Sequence, residues 1–217
     1  KLVAAVSRND EQGLREMCGD IHSMVTPIGI PLLQSHHADS EFPYEKKLLF
    51  VGRLDWQPNR DGLRWFLDEV WPQAVKESPE LSLTIAGTGD GAWLEPYLRL
   101  PGLTFAGRVP DLAPLYQQSA ASLVPIFFGS GTRVKAIEAG SHARPCISTE
   151  IGVEGIGLNP ASDYFRAETR EDWIKTLREF SVLEGRRRGE SAYRWIASEF
   201  DPTVIASRFI KELRRSL

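Results

Sequence analysis

The feature that most constrains this sequence is a regular alternation of short apolar runs and amphipathic segments between residues 46 and 149. Strands of parallel sheets read as continuous apolar runs because helices cover both faces of such sheets. The alternation therefore predicts an α/β fold with a doubly wound, Rossmann-like parallel sheet. The runs with strand character are KKLLFVG (46–52), LSLTIAG (81–87), LTFAG (103–107), ASLVPIF (121–127) and PCIST (145–149).

The segments between and after these runs have the residue spacing of helices. In the segment 61–75 the apolar residues that share one face are Leu63, Phe66, Leu67, Val70 and Trp71. Further helices are predicted over 92–98, 112–119, 133–143, 171–183, 190–200 and 202–217. Ahead of the series, the sequence predicts a strand at 2–7, a helix at 10–18 between a cap at Asn9 or Asp10 and Gly19, and extended chain at 24–28.

The polar, irregular stretch 31–45 (PLLQSHHADSEFPYE) has the composition of a linker. It divides the sequence into residues 1–45, a strand–helix–strand piece with its linker, and residues 46–217, the Rossmann-like domain. A start at Lys1 rather than Met, inside a strand-like run, is typical of a piece of a longer protein.

Composition excludes several classes of function. A net charge of −3 provides no basic field for nucleic acid, so we expect no nucleic-acid partner. Two cysteines are too few for a disulfide framework, which favours a cytoplasmic setting. No run approaches the roughly 18 apolar residues that cross a membrane. The amphipathic pattern of 202–217 is compatible with peripheral membrane contact or with packing against another domain.

A glycine-rich turn, Gly129-Ser130-Gly131-Thr132, separates the fourth predicted strand from the helix that follows it. The glycines let a ligand approach the main chain closely, and Thr132 is placed to cap the helix with its side chain. Unpaired N–H groups at a helix start carry partial positive charge and attract phosphate. The turn therefore predicts an anion site at the carboxyl edge of the sheet.

Lys135 and Glu138 lie three residues apart, on one face of that helix. The ammonium group of Lys135 adds positive charge to the predicted phosphate site. The carboxylate of Glu138 suits an acceptor of two vicinal hydroxyl donors, such as those of a ribose. The alternative is a surface ion pair between the two side chains, and the stretch alone does not decide between the two interpretations.

Two other strand ends carry weaker signals. Arg53 follows the first strand, where a guanidinium could grip a diphosphate; the alternative is an ion pair with Asp55 or Asp61. The stretch IAGTGDG (85–91) loosely matches the dinucleotide fingerprint. No acidic residue ends a strand about 20 residues further on, which argues against NAD and favours a glycine turn that lines a cleft.

Together these motifs resemble the C-terminal domain of group 1 glycosyltransferases, the large retaining family with a GT-B fold. The resemblance runs in order over roughly residues 46–160. It implies that residues 1–45 are the end of a preceding acceptor domain with the interdomain linker. The stretches that carry it are VGRLDWQPNRDGLRWFLDEVWP (51–72), LTIAGTGDG (83–91), LTFAGRVPDLAPLYQQSA (103–120) and VPIFFGSGTRVKAIEAGSHARPCISTEIGVEGI (124–156).

The resemblance implies a site for a nucleotide-sugar donor. Glu138 matches the glutamate that holds the donor ribose. Arg53 matches the arginine that neutralises the leaving phosphates, and Lys135 is the second candidate for a catalytic cation. The other implied donor-binding positions are Gly129, Ser130, Gly131, Thr132, Arg133, Gly87, Gly89, Gly107, Arg108, Val109 and Arg60.

The sequence departs from the family pattern at two places. Ser130 stands where the first glutamate of the E-x7-E motif, which contacts sugar hydroxyls, is usual. The family lysine after the Gly-Arg motif is also missing from the local sequence Asn59-Arg60-Asp61-Gly62, so Arg60 or Lys135 is expected to supply that charge.

The resemblance therefore implies retaining transfer of a sugar from a nucleotide-sugar donor, without a metal or another cofactor. The acceptor domain is expected to be largely absent from this chain, so the chain should bind nucleotide weakly and transfer nothing by itself. Three alternatives stay open: a GT-B sugar-nucleotide epimerase, a phosphorylase, and a non-catalytic domain that keeps the fold and binds a nucleotide or a partner.

Overall fold

The computed structural model describes residues 2–32, 42–43 and 45–216. Most of the predicted linker, residues 33–41 and Tyr44, lies outside the described residues. The chain begins with a small parallel pair of strands, β1 (Val3–Ala5) and β2 (Ser23–Val25), connected by α1 (Arg8–Cys18). This strand–helix–strand unit forms a sheet of its own.

The main sheet contains six parallel strands in the order β5-β4-β3-β6-β7-β8. They are β3 (Lys47–Val51), β4 (Ser82–Ala86), β5 (Leu103–Gly107), β6 (Ala121–Val124), β7 (Cys146–Ser148) and β8 (Phe165–Arg166). The order runs outward on both sides from the central pair β3 and β6, which is the doubly wound arrangement. The predicted α/β, Rossmann-like class is confirmed.

Helices cover both faces of the main sheet. One long helical segment comprises α2 (Gln57–Trp65), a wide π-helical turn (Phe66–Val70) and α3 (Trp71–Glu77). The other helices are α4 (Ala113–Gln117), α5 (Val134–Ser141), α6 (Arg170–Glu179), α7 (Val182–Phe200) and α8 (Pro202–Ser216). Single 3₁₀ segments occupy Ala92–Arg99 and Ile151–Val153.

Alternating residues of β3 enter two separate cores. Leu48 and Phe50 pack on the face covered by α2, α3 and α6, whereas Leu49 and Val51 pack on the face covered by α5 and α7. All four side chains are buried, which explains why the strand reads as an unbroken apolar run rather than an alternating one.

Several predicted boundaries were wrong, and local chemistry explains most of them. The predicted strand 121–127 ends at Val124 because Pro125 has no N–H to continue the ladder. The helix predicted from 61 begins at Gln57, where Pro58 suits a first turn. Pro72 explains the wide turn before α3, because proline removes a helical hydrogen bond.

Other boundaries are shifted by caps that the pattern did not reveal. Ser7, not Asn9 or Asp10, caps α1, and its hydroxyl accepts from the Asp10 N–H. Ser181 caps α7, which begins at Val182 rather than 190. The helix predicted to run to 183 therefore ends at Glu179. Between residues 46 and 149 the sequence predicted five strands; the sixth strand of the main sheet, β8, has only two residues and no periodic signal.

A close backbone approach fixes α2 against the strand end of β6. A Cβ atom on Gly62 would lie 1.7 Å from the Pro125 carbonyl oxygen. No side chain fits in that space, so glycine allows the helix to lie directly on the chain that leaves β6. This contact positions the start of α2 beside the carboxyl edge of the sheet.

We expect Gly62→Ala to destabilise the domain by about 1–3 kcal/mol, since the backbone must move apart to admit a methyl group. Gly13→Ala is the matched control, because Gly13 also lies within a helix but a Cβ atom there would meet no other atom within 4 Å. Alanine there should be neutral or stabilising. Urea unfolding of both variants tests this, and equal midpoints would contradict the role of Gly62.

Candidate functional site

The candidate site lies where the strand order reverses. The chain leaves β3 towards β4 and leaves β6 towards β7, on opposite sides, so the carboxyl ends of β3 and β6 diverge. Doubly wound proteins bind ligands in the crevice that this divergence creates. A cavity of about 340 Å³ occupies it here, lined by Val51, Gly52, Arg53, Trp56, Val124, Ile126, Thr132, Arg133, Val134, Lys135, Glu138 and Gly152.

Lys135 brings an ammonium group into this cavity from the first turn of α5. Its Nζ donates a hydrogen bond of 2.5 Å to Oδ1 of Asn59 and lies 4.5 Å from the centre of the Phe50 ring. The pKa of Lys135 is lowered to about 7, chiefly by burial; Cys146 acts to raise it, and the charge of Arg133 acts to lower it. The cation is therefore held in a poorly solvated place, without a carboxylate partner among the described residues.

Arg53 lies at the outer wall of the cavity. Its guanidinium forms a two-bond ion pair with Asp55, with Nε–Oδ1 at 3.1 Å and Nη2–Oδ2 at 2.9 Å. The side chain is 69% exposed. The ion pair with Asp55, which was the alternative interpretation of Arg53, is therefore present in the structure. The same guanidinium lines the cavity, and its assignment to a diphosphate stays a prediction.

Glu138 faces the cavity one turn further along α5. Its Oε2 accepts a hydrogen bond of 3.2 Å from the hydroxyl of Tyr116, which is fully buried. Burial raises the pKa of Glu138, and the Tyr116 hydrogen bond partly offsets that rise. No ion pair joins Glu138 to Lys135 in the described structure, so the alternative of a surface pair between them was wrong.

The start of α5 differs from the prediction that Thr132 caps it. The cap residue is Arg133, and no side chain bonds the helix amides there. The Val134 N–H donates to the Thr132 carbonyl, and those of Ala136 and Ile137 donate to the Arg133 carbonyl. The Lys135 N–H is left unpaired among the described residues, so the helix start still offers an amide.

Arg133 is a structural side chain rather than a surface one. It is 5% exposed, and its Nη2 donates to the Gly129 carbonyl at 2.7 Å and to Glu154 at 3.2 Å. These bonds hold the glycine-rich turn, where Gly129 has a φ of 114° and Gly131 a φ of 97°. Ser130 between them is exposed.

The remaining predicted positions lie away from the cavity. Gly87 packs so closely on the carbonyl of Gly52 that a Cβ would lie 1.8 Å from that oxygen, which allows the close approach of two neighbouring strand ends. A Cβ on Gly89 would meet the side-chain carboxylate of Asp55 instead. The other predicted positions that do not line the cavity are Gly107, Arg108, Val109, Arg60, Gly129, Ser130 and Gly131, of which Gly131 lines the second cleft described below. Of the two candidates for the missing family lysine, the structure brings Lys135 and not Arg60 into the cavity.

A second cleft of about 780 Å³ adjoins the glycine-rich turn. It separates the small β1–β2 unit from the main domain, with Ser7, Arg8 and Asn9 on one wall and α7 on the other. Thr132 and Arg133 line both this cleft and the cavity. The two spaces therefore meet at the start of α5.

Among the described residues, no three acidic, histidine or cysteine side chains come together as a metal site would require. None of the helices in the described ranges is long and apolar enough to cross a membrane. That the chain needs no cofactor stays a prediction.

The strand order and the cavity at its reversal define a Rossmann-like α/β domain. A sequence profile of the family described as "Glycosyl transferases group 1" matches residues 45–178. The chain belongs to this family, as its sequence predicts. An "Uncharacterized 44.6 kDa protein in cps region" of Klebsiella pneumoniae is 26% identical over 196 residues, which cover 86% of this chain and 50% of the relative.

Solved structures share the fold. S. aureus TarM, crystallised with UDP among its ligands, has a TM-score of 0.77 at 13% identity, over 97% of this chain and 43% of its own. Sucrose-phosphate synthase from Thermosynechococcus elongatus scores 0.70 at 19% identity, over 99% and 58%. HepE from Anabaena, with UDP and glucose, scores 0.66 at 14% identity, over 98% and 62%. The chain thus spans about half the length of the proteins it resembles.

Three polar or aromatic residues of the site were not predicted from the sequence. Asn59 and Tyr116 bond Lys135 and Glu138, and Trp56 lines the cavity. Trp56 and Asn59 lie in a stretch singled out only for Arg53 and Arg60, and Tyr116 reads as an apolar helix position. Asn59 and Tyr116 contact residues that lie 76 and 22 positions away in sequence, so local spacing carried no signal for these contacts.

The lowered pKa of Lys135 predicts a pH-dependent stability. Between about pH 7 and 10.5 the unfolded chain holds a proton on this lysine that the folded chain lacks, so stability should rise with pH in that window. Lys135→Met removes the effect. Its stability relative to wild type should be greatest at pH 6 and should decline by pH 9, by an amount on the order of a few kcal/mol.

Urea unfolding at both pH values measures this difference. Lys175→Met, on the exposed side of α6, is the matched control and should behave alike at pH 6 and pH 9. If the difference between Lys135→Met and wild type is the same at the two pH values, Lys135 is not held in a poorly solvated place.

Proposed function

We propose that this chain is the donor-binding half of a retaining glycosyltransferase, and that the cavity between β3 and β6 binds the nucleoside diphosphate of a nucleotide-sugar donor. The proposal rests on the residues that line one cavity. Arg53, Lys135, Glu138 and the first turn of α5 all line it, at the point of the sheet where doubly wound proteins bind ligands.

The phosphate end of the cavity is supported by its electrostatics. Lys135 provides a cation without a carboxylate partner among the described residues, and Arg53 lies across the opening. The first turn of α5 provides an N–H group and the positive end of a helix. Charge builds on the diphosphate as the bond to the sugar breaks. Fixed cations and dipoles stabilise that charge, which is electrostatic catalysis.

The ribose end is supported by Glu138. A carboxylate next to a phosphate site repels the phosphates but accepts hydrogen bonds from hydroxyl groups. The Tyr116 hydroxyl bonds Oε2 and fixes the direction of the carboxylate, so Oε1 is proposed to accept from the ribose. The nucleoside would then lie along α5, with its ribose one helical turn beyond the diphosphate.

Transfer needs an acceptor hydroxyl on the face of the sugar that the diphosphate leaves, which gives retention. The cleft beside β1 and β2 is the space through which such an acceptor can reach the start of α5. Residues 1–45 are proposed to be the end of the acceptor domain. The rest of that domain is expected outside this chain, in line with the relatives' greater lengths.

Two comparisons support the proposal. UDP is present in the crystals of TarM and HepE, which share this fold. The Klebsiella relative is described by its place in a cps region, which agrees with polysaccharide biosynthesis. Ser130 favours a second candidate function, a nucleotide-binding domain without transferase activity, because the glutamate that reads the sugar in the family is replaced there.

Titration calorimetry with UDP, GDP, dTDP and ADP tests donor binding. We expect one of the four to bind weakly, with Kd in the micromolar to millimolar range, and we expect no sugar transfer by the 217-residue chain. If none binds at millimolar concentration, the donor site is refuted. Robust transfer by the chain alone would contradict the proposal that the acceptor half lies elsewhere.

Substitutions separate the two ends of the cavity. Glu138→Ala should weaken UDP about tenfold or more, since a charge-assisted hydrogen bond contributes about 1.5–3 kcal/mol, and should not weaken the 2′,3′-dideoxy analogue. Glu190→Ala, on the exposed side of α7, is the control and should leave both affinities unchanged. An unchanged affinity for UDP in Glu138→Ala would refute its assigned role.

The proposed role of Arg53 can be tested through its ion-pair partner, Asp55. Because Asp55 now holds the guanidinium with two hydrogen bonds, a diphosphate must compete for it. We expect Arg53→Ala to weaken the binding of UDP more than that of uridine. Asp55→Asn should strengthen the binding of UDP severalfold. Arg178→Ala, in an ion pair with Glu77 on the outer surface, is the control. Equal losses for UDP and uridine in Arg53→Ala would exclude a contact with phosphate.

A further inference from the structure

The amide of Asn59 connects the two sides of the cavity. This side chain is 4% exposed and belongs to the first turn of α2. Its Oδ1 accepts the hydrogen bond from Lys135 on α5, while its Nδ2 donates to the Arg53 carbonyl at 2.8 Å. One buried group is thus bonded both to the ammonium and to the main chain of the other candidate phosphate ligand.

The space around this amide is closed on the side of β3. A Cβ atom on Gly52 would lie 2.6 Å from Nδ2 of Asn59 and 3.2 Å from Nζ of Lys135. Phe50 lies under the ammonium on the same side. The direction of the Lys135 side chain is therefore set by neighbours that leave it one polar acceptor, the Asn59 oxygen, among the described residues.

We propose that Asn59 is a positioning residue for the diphosphate: its amide oxygen holds the Lys135 ammonium in the cavity, and its amide nitrogen holds the Arg53 backbone beside it. The inference rests on the proposed function of the cavity. An amide suits this task because it orients the lysine without adding a negative charge that would repel an anionic ligand.

A carboxylate in the same place would act differently. It would pair with the lysine before a ligand binds and would compete with the incoming phosphate. The other ionisable groups around Lys135 are Arg133 at the cap of α5, Glu138 on α5, Arg53 after β3 and Cys146 on β7. Burial raises the pKa of Cys146 to about 12, so its thiol is neutral at pH 8.

This arrangement predicts that Lys135 gains a proton when UDP binds. With its pKa lowered to about 7, Lys135 is mostly neutral at pH 8 before a ligand binds. A bound diphosphate favours the charged form, so UDP should bring about one proton with it at pH 8. The terminal phosphate of UDP titrates near pH 6 and adds little at this pH.

The test is calorimetry of UDP binding at pH 8 in buffers of different ionisation enthalpy, which gives the number of protons taken up. Wild type should take up about one proton. Asn59→Asp should abolish most of this uptake, because the new carboxylate keeps Lys135 charged before UDP arrives. Asn59→Ala should keep the uptake but bind UDP about tenfold more weakly. Asn159→Asp, on an exposed turn, is the matched control and should resemble wild type.

A double-variant comparison guards against a purely structural effect. If Asn59 acts through Lys135, then Asn59→Ala should cost clearly less UDP affinity in a Lys135→Met background than in wild type, since only its bond to the Arg53 backbone is then left to lose. An unchanged proton uptake in Asn59→Asp, or the same tenfold loss with and without Lys135, would overturn the role of Asn59 and leave the donor site standing. Failure of wild type to bind UDP or any of the other three nucleotides would overturn both.

Discussion

The structure depends on the divergence of two neighbouring parallel strands. Because the connections after β3 and β6 leave the sheet in opposite directions, none of the described elements covers the gap between their carboxyl ends. Close backbone contacts pack the elements beside this gap. Gly62 allows α2 to lie on the chain after β6, and Gly87 allows the end of β4 to touch that of β3. The cavity therefore lies where the topology leaves a gap, next to these two contacts.

The ammonium group of Lys135 lies in this gap, where its burial costs free energy. Burial of the Lys135 ammonium weakens its hold on a proton, and the described structure provides an amide rather than a carboxylate to receive it. Burial of an uncompensated charge costs free energy unless a partner arrives. An anionic ligand would be such a partner, so the cost of holding this cation and the proposed affinity for a diphosphate have the same physical origin.

The fold was largely predictable from the sequence, and the site only in part. Strands buried on both faces, such as Leu48–Val51, leave an unbroken apolar pattern, whereas the two residues of β8 leave none. Lys135 and Glu138 were found because helical spacing places them on one face. Asn59 and Tyr116 were not, because their contacts join distant segments. The cap at Thr132 was mispredicted, since the buried guanidinium of Arg133, rather than a hydroxyl, organises that turn.

A crystal structure of the chain with UDP tests the central claim most directly. The account predicts the diphosphate between Lys135, Arg53 and the first turn of α5, with the ribose hydroxyls on Glu138 and the Asn59–Lys135 hydrogen bond retained. UDP bound outside the gap between β3 and β6, or bound there with its ribose at Lys135 and its phosphates pointing away from α5, would contradict it.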